Sequence, residues 1–384
     1  MMELNKIYQG SALDVLKAMP SQFIDCVVTS PPYWGLRDYG GETETIWDGL
    51  PDCKHLWEGG KPAGDIRFRG TSSIVDQNAN PAVNKRNKNQ IASAYCLNCG
   101  AWRGQLGLEP DFNLYIKHLC DIFDEIKRVL KNEGSCWVNL GDSYGASGGC
   151  GNQYGKHRLE EQGMIKYKGR NLEGFEKSLL SIPARFAILM CDRGWRLRNE
   201  IIWHKPNCMP QSARDRFTID FEKLFFFVKS RQYYFKQQYE SIKAESIDRL
   251  HRGVSRTHKF VDGAPGQRRH SMNQPRPNAK EAKSSPNDPL WTQKGRFMRC
   301  VWLIATKAYR GAHFATFPEK LVETPLKAGC PPGGIVLDPF AGAGTTFLVA
   351  RRLNLNFIGI EISPEYIKLA ENRLKAAHCQ QELF

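Results

Sequence analysis

The 384 residues carry 54 Lys+Arg against 40 Asp+Glu, a formal net charge of +14, with 41% hydrophobic and 24% charged residues. That apolar share suffices for a buried core and excludes a wholly disordered chain, and the length suits two units or one large core with insertions. So basic a balance points to a polyanionic partner, nucleic acid before a membrane surface, while twelve Cys are too sparse for a disulfide scaffold.

The opening MMELNKIYQG has no apolar h-region of a signal peptide, and no run approaches the roughly 20 apolar residues of a membrane span. The expectation is a cytosolic protein with reduced thiols. Phe23–Thr29 is a short β-branched run with prolines just after it, which predicts a buried strand. Asp111–Lys131 repeats apolar residues at helical spacing up to Asn132 and Gly134, which mark its end. Ser135–Leu140 predicts a strand, Leu179–Cys191 a helix, Arg198–Trp203 a strand, and Leu224–Val228 with Tyr233–Phe235 a strand pair. Ile335–Leu337, Thr345–Leu353, Phe357–Glu361 and Pro364–Ala377 then alternate strand, helix, strand, helix. Such alternation predicts an α/β fold with a largely parallel sheet covered on both faces.

Three stretches interrupt it. Residues 50–100 and 143–177 are rich in glycine and poor in core material. Residues 240–300 hold 13 Lys/Arg against 6 Asp/Glu, half the net charge of the whole chain. Long core-poor segments in an α/β protein are functional loops or linkers.

Two motifs carry chemistry. Asp338-Pro-Phe-Ala-Gly-Ala-Gly-Thr-Thr346 follows an apolar strand and opens a helix. A Gly-x-Gly turn lets backbone approach a ligand, and the helix N-terminus offers free N–H groups. The next strand ends at Glu361, where an acidic side chain suits a ribose diol. The third glycine of a dinucleotide fingerprint is Phe347 here, and no Gly-Lys-Ser/Thr follows, so a nucleoside cofactor fits better than a dinucleotide or a nucleotide phosphate. The second motif, Thr29-Ser-Pro-Pro-Tyr-Trp34, closes the first strand. Its prolines hold the backbone extended and leave carbonyl acceptors beside the Ser30 hydroxyl. Tyr33 and Trp34 supply planar faces, so the segment suits a flat ring with an exocyclic amine.

Together the motifs resemble those of the S-adenosylmethionine-dependent DNA amino-methyltransferases, whose members methylate N4 of cytosine or N6 of adenine. The family's catalytic [Ser/Asp/Asn]-Pro-Pro-[Tyr/Phe/Trp] is Ser30, Pro31, Pro32 and Tyr33 here, and its cofactor signature runs from Asp338 to Thr345. Catalytic motif first and cofactor motif last is similar to the circularly permuted β-class arrangement of a Rossmann-like class I methyltransferase fold. The resemblance implies Asp338, Phe340, Gly342, Gly344, Thr345 and Glu361 as cofactor residues, with Phe317 of His313-Phe-Ala-Thr-Phe-Pro318 packing over the cofactor. It implies Ile202–Asn207, Met209-Pro210 and Tyr233–Phe235 as segments closing a target-base pocket. Many relatives carry a Gly-Asp pair near the N-terminus where this chain has Gly10-Ser11, and no cofactor role is assigned there.

The implied organisation is a catalytic half over 1–50 and 100–239, an insertion over 51–99, a target-recognition region over 240–305 and a cofactor half over 306–384. Ser30, where adenine-specific relatives commonly carry Asp or Asn, favours cytosine N4, with adenine N6 the alternative. Double-stranded DNA is the implied partner, in a prokaryotic or phage-infected cell, and a cognate restriction endonuclease acting on the same site is compatible with the family. An RNA or protein methyltransferase, and a non-catalytic nucleic-acid-binding protein, are the competing classes. Separately, Cys53-x-His55 and Cys96-x-x-Cys99 are two close pairs of soft or borderline ligands that suit a tetrahedral structural zinc ion. His204 is either structural or a DNA contact, and Asp142 either lines the pocket or caps a helix.

Overall fold

The computed structural model describes residues 2–36, 43–57, 95–145, 174–241, 295–306 and 317–381. The chain divides into two compact units, one of residues 1–235 with 300–384 and the other of Lys236–Arg299.

The larger unit is built on one eight-stranded sheet. In chain order it contains β1 (Lys6–Gln9), α1 (Ala12–Ala18), β2 (Ile24–Thr29), β3 (Thr45–Trp47), β4 (Trp102–Gly104), α2 (Phe112–Val129), β5 (Leu130–Leu140), α3 (Ile182–Asp192), β6 (Arg196–His204) and β7 (Phe221–Val228). After the smaller unit come β10 (Val301–Leu303), α4 (Glu319–Gly329), β11 (Ile335–Asp338), α5 (Thr345–Arg352), β12 (Asn356–Glu361) and α6 (Pro364–Gln381). The strand order is β1-β12-β11-β2-β5-β7-β6-β10. Neighbours are parallel except that β7 runs antiparallel to both β5 and β6.

Side-chain alternation along the central strands feeds two helical layers. Cys136, Val138 and Leu140 of β5 join a core with Tyr115, Leu119 and Phe123 of α2 and Phe186 of α3. The intervening Ser135 donates from Oγ to the Gly329 carbonyl at the end of α4, 2.9 Å away. On β7, Phe225 and Phe227 enter the first core, whereas Phe226 stacks on Trp137 at 4.0 Å. This period of two is what a sheet covered on both faces demands.

Most expected elements are present with shifted ends. α2 begins one residue late because Asp111 caps it, its Oδ1 accepting from the N–H groups of Asn113 and Leu114. Tyr233–Phe235 is not a strand; β7 pairs with β5 and β6 instead, and both Tyr233 and Phe235 lay their rings against Phe226. The sheet is therefore mixed but mostly parallel, in line with the expected largely parallel sheet. β1, α1, β10, α4 and the antiparallel β3–β4 ribbon were not expected from the sequence.

In the smaller unit, β8 (Tyr239–Glu240) pairs antiparallel with β9 (Arg296–Phe297), and Glu240 meets Arg296 and Arg299 at 2.7 Å each. Most of the basic 240–300 stretch, and most of the 50–100 and 143–177 stretches, lie outside the described residues. Among the described residues, no helix is long and apolar enough to cross a membrane.

Candidate functional site

β11, β2 and β5 lie side by side, so the loops after β11 and β2 open at the same edge of the sheet. There the structure holds a cavity of about 620 Å³, within the usual range of a small-molecule site. Both motifs line it. Ser30, Pro31, Pro32 and Tyr33 line it together with Phe340, Gly342, Thr345, Glu361 and Phe317.

The glycine turn is held from several directions. Gly342 and Gly344 have φ of +48° and +73°, which side chains rarely tolerate. A Cβ on Gly344 would also stand 2.8 Å from Ala370 of α6. The Gly342 N–H donates to Glu361 Oε2 at 2.8 Å, and the Ser363 N–H to Glu361 Oε1 at 2.9 Å. Arg373 of α6 reaches the Ala343 carbonyl. Burial raises the Glu361 carboxyl above its ordinary range, against the lowering effect of those backbone donors.

Asp338 and Gly344 are not on the cavity surface. Asp338 is buried under the turn, where Oδ1 accepts from Thr29 Oγ1 at 2.6 Å and Oδ2 from Thr346 Oγ1 at 2.7 Å. It thus ties the end of β2 to the first turn of α5. Burial pushes its carboxyl up to about 7.

The Ser-Pro-Pro-Tyr loop carries a polar network that the motif alone does not reveal. Tyr33 Oη lies 2.7 Å from Glu222 Oε2 and 3.0 Å from Asn139 Oδ1. Ser30 Oγ lies 3.4 Å from Tyr33 Oη and 3.5 Å from Asn139 Oδ1. Glu222 in turn pairs with Lys205, whose ammonium sits 4.5 Å from the centre of the Trp203 ring. One phenolic hydrogen serves one strong bond, and the carboxylate is the stronger acceptor. Burial and Glu222 both raise the Tyr33 hydroxyl well above its ordinary value, so it stays a neutral donor. With Asn139 and Tyr33 behind it as acceptors, Ser30 can turn its hydrogen inward and its lone pairs to the cavity. The Tyr115 hydroxyl donates to the Pro32 carbonyl at 2.7 Å and so fixes the loop to α2.

Trp203, Lys205, Asn207 and Met209, from the segment expected to close a base pocket, line the same cavity. Tyr233 and Phe235 do not. Trp34 is not a cavity plate either: it is buried, edge-on to Phe112, with Nε1 donating to the Glu109 carbonyl at 3.1 Å. Asp142 caps, accepting from the Ile182 N–H at 3.0 Å where α3 begins. His204 pairs with Asp220 at 3.1 Å. Gly10, Ser11 and Ala12 line the cofactor-motif side despite the missing acid. Thr43, Thr45, Trp47 and Gln105 form a further wall. Of the cavity residues the sequence reading missed, Asn139 had a signal, a polar residue inside an otherwise apolar strand segment, whereas Glu222 lies at the polar start of β7 beside Lys223 and had none.

Away from the cavity, Cys53, His55, Cys96 and Cys99 are brought together, their ligand atoms all within 4.8 Å of one another.

A family profile described as DNA methylase, that of the N6 and N4 enzymes, matches residues 24–372. The type II methyltransferase M.SmaI of Serratia marcescens is 32% identical over 370 residues, 96% of this chain and 90% of that protein. M.Cfr9I of Citrobacter freundii is 31% identical over 377 residues, covering 97% and 89%. Among solved structures, the PvuII DNA methyltransferase (cytosine-N4-specific) shares the fold with a TM-score of 0.51, at 16% identity over 97% of this chain and 86% of its own.

Proposed function

The chain belongs to the N6/N4 DNA methylase family, and from that premise we propose that it transfers a methyl group from S-adenosylmethionine to the exocyclic amine of a flipped base in DNA, cytosine N4 being the favoured target. The observation that carries this reading is the convergence of Ser30–Tyr33 and the Gly342–Glu361 turn on one cavity. The type II names of the relatives support a site-specific DNA substrate. The order of the motifs supports the permuted β-class arrangement.

The cofactor side fits a nucleoside. Its glycine turn keeps side chains away from the cavity, Glu361 offers carboxylate oxygens for ribose hydroxyls, and Phe317, Phe340 and Ile362 supply apolar faces. Asp338 and Gly344 shape the turn from behind. When bound, S-adenosylmethionine supplies an electrophilic methyl group on a sulfonium.

A base amine is a weak nucleophile because its lone pair is delocalised into the ring. The Ser30 hydroxyl and a carbonyl of the prolyl segment accept its hydrogens and draw the nitrogen towards tetrahedral geometry, so positioning supplies much of the rate. The amine's surplus proton passes to Ser30, the Ser30 hydrogen to Tyr33, and the Tyr33 hydrogen to Glu222, which releases it to solvent. The 3.4 Å and 2.7 Å contacts support this line. Glu222 is held for the task by Lys205. Because a duplex hides the amine, the base must leave the stack.

We assign the DNA-recognition surface to residues 240–300 on their charge; neutralising these cations should abolish DNA binding and leave cofactor affinity intact, and wild-type binding should weaken with salt. Nucleoside mass spectrometry of DNA methylated in vitro tests the target atom. N4-methylcytosine supports the assignment, and N6-methyladenine alone replaces the base while keeping the mechanism.

A further inference from the structure

The β3–β4 ribbon poses a physical problem. Each strand has only three residues, paired Thr45 to Gly104, Ile46 to Arg103 and Trp47 to Trp102. A ribbon that short is marginal by itself. Yet it carries Thr45 and Trp47 into the cavity wall. Trp47 and Trp102, the pair at its outer end, stack on the buried His118 of α2, at 4.6 and 5.7 Å. Its outer end leads into the two Cys/His pairs, with Cys53 and His55 following β3 and Cys96 and Cys99 preceding β4.

Beyond the Trp47–Trp102 pair, the apolar cluster among the described residues is Trp57, Cys96 and Ala101, with Cys53 and Cys99 packed against it. A cluster that small contributes little toward holding two chain segments together. Geometry supplies the alternative. Cys53 Sγ and Cys96 Sγ are 3.9 Å apart, and Cys99 Sγ and His55 Nδ1 are 3.4 Å apart. A tetrahedron with Zn–S of about 2.3 Å and Zn–N of about 2.0–2.1 Å has edges of roughly 3.4–3.8 Å. The sulfurs are far beyond disulfide length, about 2.05 Å. The backbone is folded to match. Gly100 takes φ of +73°, its N–H donating to the Cys96 carbonyl at 2.8 Å, and the Leu97 N–H reaches across to the Leu56 carbonyl at 2.7 Å. The Arg103 guanidinium of β4 stands 5.7 Å from the Trp57 ring centre, linking this cluster to the ribbon.

We propose that Cys53, His55, Cys96 and Cys99 bind one structural zinc ion that clamps the open end of the β3–β4 ribbon and so holds the Thr45–Trp47 wall of the cavity in place. Four protein ligands close the coordination shell, so the ion has no open position for chemistry. The coordination free energy adds to what that small apolar cluster supplies. The metal assignment and the clamp are independent of the methyl-transfer reading; only what the cavity binds rests on that reading.

The test uses the full chain purified without chelators from zinc-supplemented cultures. Elemental analysis should give about one zinc per chain, and Co(II) substitution should produce the visible absorption of a tetrahedral thiolate site. The paired variant Cys96→Ser/Cys99→Ser should lose both. Hydrogen exchange on wild-type protein, before and after a strong chelator, should show loss of protection at residues 45–47 and 102–104 but not in β11 and β12. Cofactor affinity should survive metal removal. Wild-type protein without zinc, or a paired variant that keeps it, overturns the site. Unchanged ribbon protection after complete zinc removal overturns the clamp. Metal loss with the clamp confirmed but no methyl transfer by the zinc-loaded protein would instead count against the proposed reaction.

Discussion

The Tyr33 hydroxyl and the Glu222 carboxylate meet at 2.7 Å although 189 positions separate them in the chain. The contact exists because β7 is inserted antiparallel beside β5, which places its first residues next to the loop that leaves β2. This couples the Ser-Pro-Pro-Tyr loop to a charge pair, Glu222 with Lys205, that the motif does not contain.

Glu222→Gln should lower kcat by about 10²–10⁴-fold, the usual contribution of a positioned proton acceptor. Cofactor affinity should not change, since the contacts of Glu222 are to Tyr33 and Lys205 and not to the glycine turn. Tyr33→Phe should act in the same direction by breaking the line between Ser30 and Glu222. Single-turnover kinetics in saturating DNA would check both, and wild-type rates in Glu222→Gln would remove Glu222 from the proton path.

Ser30→Ala should keep cofactor binding and fold while losing turnover by at least about 10²-fold. Calorimetry of cofactor binding alongside the methylation rate separates the two effects. A variant that binds cofactor and methylates normally would show that the prolyl carbonyl alone suffices.

Glu361→Ala should weaken cofactor binding roughly 10–150-fold, the loss of a charge-assisted hydrogen bond worth about 1.5–3 kcal/mol. It also frees the Gly342 N–H, so Glu361→Gln, which retains an acceptor for that group, should lose less. Equal dissociation constants for wild type and Glu361→Ala would move the ribose site elsewhere.

Asp338 makes stability depend on pH. Its carboxyl titrates near 3.8 when exposed and is pushed up to about 7 by burial in the folded protein. The folded state therefore holds the extra proton between these values, and this group's contribution to stability falls as pH rises through that window. The slope is at most about 1.4 kcal/mol per pH unit. Asp338→Asn, with an amide oxygen and nitrogen for Thr29 and Thr346, should remove that slope. Chemical denaturation from about pH 4 to 7 checks it; a slope identical to wild type would show that Asp338 is not its source.

The sequence by itself determined the class of fold, both chemical motifs and the four candidate metal ligands. Periodicity and turn chemistry are local properties: the spacing of Ile116, Leu119 and Phe123 writes a helix, and Gly342 and Gly344 write a turn, wherever the rest of the chain goes. Tertiary structure decided what those motifs touch. Asp338 reads as a ligand contact from its motif yet is buried between Thr29 and Thr346. Trp34 reads as a stacking plate beside Tyr33 yet packs on Phe112 in the core. Glu222, Asn139 and the Thr45–Trp47 wall reach the cavity only through strand order and ribbon docking. Those depend on pairing between segments far apart in the chain, and no local pattern encodes which strand will lie beside which.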